Sequence, residues 1–255
     1  METKKEGFDR KWTVGMYECL GTCLFTYCIL VSTGDAIAVA LSLFAMIIIF
    51  GDVTGGHFNP AVTIGVLIWQ FFKGDTGKNC LLSVIMIVSQ ICGSILGACI
   101  ASFVLQVATR DFFGEFVKTK VPQDYVPILA PPDTQVTEAY GGFHLDYQTF
   151  IGQMICTWIF VLVILTVKGK NSGPSTDGVL VGMVVAATLW GLINIDYVTG
   201  ACFNPAVAIG QTVFQTWHLN NTNQYLTHYL YAYTTGPAIG GALAGAFFLL
   251  FEGCF

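Results

Sequence analysis

Charge is scarce in this chain. Of its 255 residues only 11% are Asp, Glu, Lys or Arg, where a soluble domain carries about a quarter. That deficit excludes an ordinary water-soluble fold. With 54% hydrophobic residues and a mean hydropathy of +0.66, it points to a polytopic membrane protein. The net charge of -5 sits mostly in one loop, so no nucleic-acid partner is expected. The nine cysteines contain no CxxC pair and join no histidine cluster, which reads as reduced structural thiols and no metal site. His57, His144, His218 and His228 lie on separate elements without HxxxH or HExxH spacing. No nucleophile, base or cofactor motif stands out, so an enzyme is not expected. The first apolar run, from Trp12, contains Glu18 and lacks a short apolar core with a cleavage site, so no signal peptide is expected.

What is present is apolar length. Six segments, about 12–33, 36–51, 80–109, 150–167, 178–196 and 224–252, read as spans. Eight Lys and Arg residues (Lys4, Lys5, Arg10, Lys11, Lys73, Lys78, Lys168, Lys170) fall on the side of the N-terminus and three (Arg110, Lys118, Lys120) on the other. That bias makes both termini cytoplasmic, in a membrane (plasma or vacuolar) left open. Residues 110–149, with Pro122, Pro127, Pro131 and Pro132, read as a long external loop. Asn220 opens a glycosylation sequon on the same outer side.

The strongest signal is a repeat. "VTGGHFNPAVTIG" at 53–65 returns as "VTGACFNPAVAIG" at 198–210, with ten of thirteen positions identical. Glu18 lies four residues before Thr22, and Gln153 four before Thr157; Asp52 and Asp196 each stand just ahead of a copy. Each half, about 12–109 and 150–252, therefore holds three spans and one short segment. Three is odd, so the second half enters the membrane inverted, within a single domain over 1–255.

Asn59 to Phe72 is 14 residues, about 21 Å as a helix, too short to cross a core of about 30 Å. Pro60 at the first helical position and Asn59 before it are start signals, and Asn204 and Pro205 repeat them. Each copy reads as a re-entrant half-helix, and inversion brings the two N-termini together near the midplane. Irregular backbone at that depth must line water or be buried in protein. Carbonyls of 54–58 and 199–203 would form a ladder of acceptors, with Asn59 and Asn204 as donors. Two positive helix ends repel cations while a neutral hydroxyl passes.

On these residues the chain resembles the aquaporins, the major intrinsic protein family, over nearly its full length. The resemblance is carried by both Asn-Pro-Ala boxes (Asn59, Pro60, Ala61 and Asn204, Pro205, Ala206), by Glu18, His57 and Gln90, and by "GPAIGGALAG" at 236–245. It implies an all-α fold of six spans plus two half-helices in an inverted repeat. It further implies a homotetramer in the lipid bilayer with one pore per subunit, no cofactor, and passive flux of water or small neutral solutes. Phe58, Cys202 and Phe203 flank the boxes as pore-lining or loop-bracing residues. His57 has two readings, lining the pore or bracing the loop. Glu18 is read as a structural acceptor for loop backbone, because Gln153 takes its place in the other repeat, where no proton relay could work. Gln90, Gly93 and Gly97 are read as scaffold.

Selectivity is where the chain departs from the family. The residue after the second box, an arginine in most aquaporins, is Val207. Counting onto the other filter positions gives Val39, Gly191 and Ala201, Gly191 by allowing one extra residue at Val198. Val39, Gly191, Ala201 and Val207 make a wide apolar filter, for water and for glycerol, urea, ammonia or hydrogen peroxide. A valine there also occurs in some plant tonoplast intrinsic proteins. The aspartate that glycerol facilitators often carry two residues after the second Ala is replaced by Ala208. Cys202 is a candidate for mercurial block. The alternatives are a facilitator preferring glycerol, urea or ammonia and, in another class, a secondary transporter with inverted repeats.

Overall fold

The computed structural model describes residues 8–73, 76–108, 143–169, 176–218 and 228–252. Asn220 and most of the 110–149 segment lie outside them. The first repeat comprises α1 (Phe8–Val31), α2 (Ala36–Thr54), the half-helix α3 (Pro60–Phe72) and α4 (Thr76–Ala108). The second comprises α5 (Phe143–Lys168), α6 (Gly178–Ile195), the half-helix α7 (Pro205–Val213) and α8 (Leu230–Glu252). A single 3-10 turn, Tyr197–Thr199, leads into α7, which continues as a π-helical turn over Phe214–His218. Six of these helices are long and apolar enough to span, as expected, and the chain is an integral multi-pass membrane protein.

Several boundaries differ from the sequence expectation. α2 runs on through Asp52 to Thr54, because an exposed carboxylate does not stop a helix. A left-handed residue does: Gly55, at φ 88°, turns its N–H onto Gly51 O. α5 begins at Phe143 and takes in 143–149, with Asp146 in its first turn facing the positive end of the helix dipole. α8 begins at Leu230. The starts of α2 and α6 match each other: Asp35 accepts from Ala38 N at 2.8 Å, and Asp177 from Val179 N at 2.8 Å.

Packing repeats the sequence symmetry. α1 lies along α4, and α5 along α8. Each half-helix packs on the third span of the other repeat, α3 on α8 and α7 on α4. Backbones meet where α8 crosses α3: a Cβ added at Gly241 would stand 2.1 Å from Ala61 O. Only glycine allows that approach. Apolar side chains such as Phe103 and Leu250 point outward, as a lipid-facing surface requires.

Candidate functional site: two half-helices end to end

Each half-helix starts the same way. Phe58 and Phe203 take left-handed backbone, φ 47° and 52°, just before Asn59 and Asn204, which return to extended backbone. That reversal points the chain back the way it came, and Pro60 and Pro205 then open the helices without wasting an N–H. Asn59 Oδ1 accepts from Ala61 N at 2.8 Å; Asn204 Oδ1 accepts from Ala206 N at 3.0 Å and Val207 N at 3.4 Å. The same side chains clasp each other's loops. Asn59 Nδ2 donates to Phe203 O and Asn204 Nδ2 to Phe58 O, both at 2.9 Å. Each amide nitrogen carries two hydrogens, so one on each remains for another acceptor. The two N-termini therefore meet, and their partial positive charges face one point.

Behind each loop stands a polar brace. Glu18 is fully buried and accepts from His57 N at 3.1 Å, Phe58 N at 2.8 Å and Gln90 Nε2 at 2.7 Å. In the other repeat Gln153 Oε1 accepts from Phe203 N at 2.9 Å. Gln153 Nε2 donates to Thr199 Oγ1 at 2.8 Å and to Asp196 Oδ2 at 3.3 Å, and Thr199 Oγ1 itself donates to Asp196 Oδ2. What Glu18 does alone is thus divided between an amide that touches the loop and a carboxylate behind it. Gln90, expected as scaffold, belongs to the first brace, bonding Thr63 Oγ1 at 3.0 Å as well as Glu18.

Thr63 also fixes the histidine. Its hydroxyl donates to Asn59 O at 3.1 Å, and His57 Nδ1 lies 3.1 Å from Thr63 Oγ1. With the hydroxyl hydrogen directed at Asn59 O, the network assigns Nδ1–H as the donor and leaves Nε2 as the ring's acceptor. Lys168 Nζ donates to Gly55 O beside it, tying the end of α5 to the loop.

Replacing Glu18 with leucine strands two loop N–H groups and one amide in an apolar interior. At about 1–3 kcal/mol for each unpaired group, the variant is expected to melt well below the wild type and to lose flux. A thermal melt in detergent checks this; an unchanged melting temperature would mean other bonds hold the loop.

A cavity of about 210 Å³ runs past the boxes. Asn59, Asn204, His57, Phe58, Cys202 and Phe203 line it, as do Val39, Ala201 and Val207. Glu18 and Gln153 stand behind the wall, not on it. Gly191 is not among the residues that line this cavity. α6 contributes Leu189 and Ile193, four apart on one face, and Gly191 falls about 200° round the helix from Leu189. Counting back through the irregular turn at 197–199 cannot fix the rotation of the helix beyond it. Sequence reasoning also missed Thr63, Thr199 and Lys168, whose partners are distant in sequence or lie in irregular loop; Asp196 stands out in the sequence only as a residue just ahead of the second copy. Among the described residues no group of three or more His, Cys, Asp or Glu could hold a metal.

Six spans around two half-helices that meet N-terminus to N-terminus define a re-entrant-loop membrane fold. The sequence profile of the Major intrinsic protein family matches residues 12–248, and the chain belongs to that family. It is similar to Aquaporin Z of Photorhabdus laumondii, 28% identical over 221 residues that cover 85% of this chain and 81% of that protein. It also matches Glycerol uptake facilitator protein-like 6 of Lactiplantibacillus plantarum, 26% identical, covering 89% and 92% of the two chains. Among solved structures, the aquaglyceroporin from Plasmodium falciparum superposes with a TM-score of 0.70 at 17% identity, covering 93% of this chain and 95% of that one. That likeness is one of fold.

Proposed function

We propose that the chain is a passive transmembrane channel for water and, through a wide filter without arginine, for small neutral solutes such as glycerol. One observation carries this: a cavity threads between two reciprocally clasped half-helix N-termini whose surroundings include Val39, Ile193, Ala201 and Val207, with no aromatic ring and no charge among those four. A solute passing Asn59 and Asn204 meets amide hydrogens and positive helix ends, which suit a hydroxyl and repel a cation, the device for which aquaporins are known. A homotetramer and a cytoplasmic N-terminal face go with this function. Enzymatic chemistry does not, since the family relatives bear the names of channels and facilitators. Cys202 Sγ donates to Asn204 O at 3.4 Å, which keeps the thiol near the boxes and within reach of a mercurial.

Alternating access is disfavoured by the clasp. A transporter would have to part the two repeats at the midplane, where the Asn59 and Asn204 bonds join them. Flux that rises linearly with solute concentration and ignores Na⁺ and H⁺ gradients is expected; saturation or gradient dependence would point to a transporter instead.

The wall on α6 is tested by a pair of variants. Ile193→Phe is expected to lower glycerol permeability about tenfold, since a ring then projects into the cavity, while Gly191→Phe leaves it within about twofold. The reverse ranking, in a vesicle shrinkage assay, would restore Gly191 to the filter. A Cβ at Gly191 meets nothing within 4 Å, so the Gly191→Phe result is not confused with a packing clash at that carbon.

A further inference from the structure

Gln211 lies four residues beyond Val207 on α7, so the two side chains share one face of the half-helix. Both line the cavity, and Gln211 is only 3% exposed. Its Oε1 is sealed from the surface and has no hydrogen-bond partner among the described residues. Phe25, Ile29 and Phe160 supply apolar wall in the same cavity. Proteins rarely leave such a group unpaired, because an amide buried away from water loses its hydration without replacement. Exchanging the two ends of the amide does not remove the problem, since a polar atom in that place is unpaired in either orientation. The terminal torsion of a glutamine is soft, so a turn of the amide brings Oε1 toward the cavity. A group that enters the cavity would then supply the partner.

We propose that Gln211 is a solute-docking group of the pore, taking the hydroxyl or amide of a small neutral solute such as glycerol or urea as it passes Val207. The proposal rests on the wide-filter channel described above and names the solute chemistry it favours. An uncharged amide both donates and accepts, which matches a polyol or urea along its length. A charged filter residue would offer donors alone. In this chain the hydrogen-bonding part of selectivity therefore stands one helical turn along α7 from the position after the box, and it carries no charge.

Proteoliposomes holding Gln211→Leu test this, with water, glycerol and urea permeabilities measured beside wild type and a thermal melt of each protein. Glycerol and urea permeabilities are expected to fall about tenfold relative to water. The melting temperature is expected to stay level or rise, because the substitution removes an unpaired buried amide. Gln211→Met, unbranched and of similar length, is expected to behave the same way and guards against a packing effect of leucine. An unchanged glycerol-to-water ratio in both variants overturns the proposal. So does a parallel loss of every flux with a lowered melting temperature, which would make Gln211 a structural residue. Wild-type vesicles that pass water alone would instead defeat the wide-filter reading itself, before any variant is compared.

Discussion

Val207→Arg passes water and stops glycerol. The expected glycerol permeability of the variant falls about tenfold to a hundredfold, while water permeability stays within about twofold. Val207 is buried at the first turn of α7 and lines the cavity, with its N–H held by Asn204 Oδ1. A long side chain starting there reaches into the space bounded by Val39 and Ala201. The added guanidinium narrows the passage and gives it donors in a fixed plane, which a water molecule can satisfy and a three-carbon polyol cannot pass. It also adds charge to a helix end that is already positive, so cations are excluded more strongly. Stopped-flow light scattering on vesicles of both proteins makes the comparison. A variant that passes glycerol as freely as wild type would mean that the narrowest point lies away from Val207.

Gly241→Val is expected to destabilise the protein by about 3 kcal/mol or more and to abolish flux. At Gly241 the first added carbon would already lie 2.1 Å from Ala61 O, and one turn on, at Gly245, 2.3 Å from Gly65 O. Backbone cannot yield as a flexible side-chain tip does, so α8 and α3 must separate. The damage reaches the site directly. Ala61 N is bonded to Asn59 Oδ1, and Asn59 Nδ2 to Phe203 O, so a shift of α3 loosens the clasp between the half-helices. Gly178→Ala is the matched control, because a Cβ there meets nothing within 4 Å. Melting temperatures in detergent distinguish the two; equal melts would show that α8 does not ride on α3 at backbone distance.

Both half-helices were legible because their signals are local. Asn-Pro at a helix start and a run too short to span are read from adjoining residues, and a thirteen-residue stretch returns at the matching place in the second half. Inversion followed from counting spans. The braces were legible only in part. Glu18 and Gln153 stood out as polar residues in apolar runs, but their donors lie 39 to 50 positions away. Nothing in the spacing says that Gln90 reaches Glu18 across 72 positions, or that Asp196 supports Gln153 and does not merely end a span. The cavity wall on α6 holds Leu189 and Ile193 in place of Gly191 for a different reason. A filter position is a direction as well as a depth, and an error of two residues turns a helix by about 200°. Across the irregular turn at Tyr197–Thr199, residue counting preserves depth and loses direction.

The central claim is that two clasped half-helix ends and an uncharged filter make a pore open to water and small neutral solutes yet closed to cations. Wild-type protein in proteoliposomes tests it most directly. Vesicle volume is followed by light scattering after water and glycerol gradients, and proton entry is followed by a trapped pH dye. Rapid water and glycerol flux with proton entry at the level of empty vesicles is the expected result. Water flux without glycerol flux, or proton entry above that level, would contradict it.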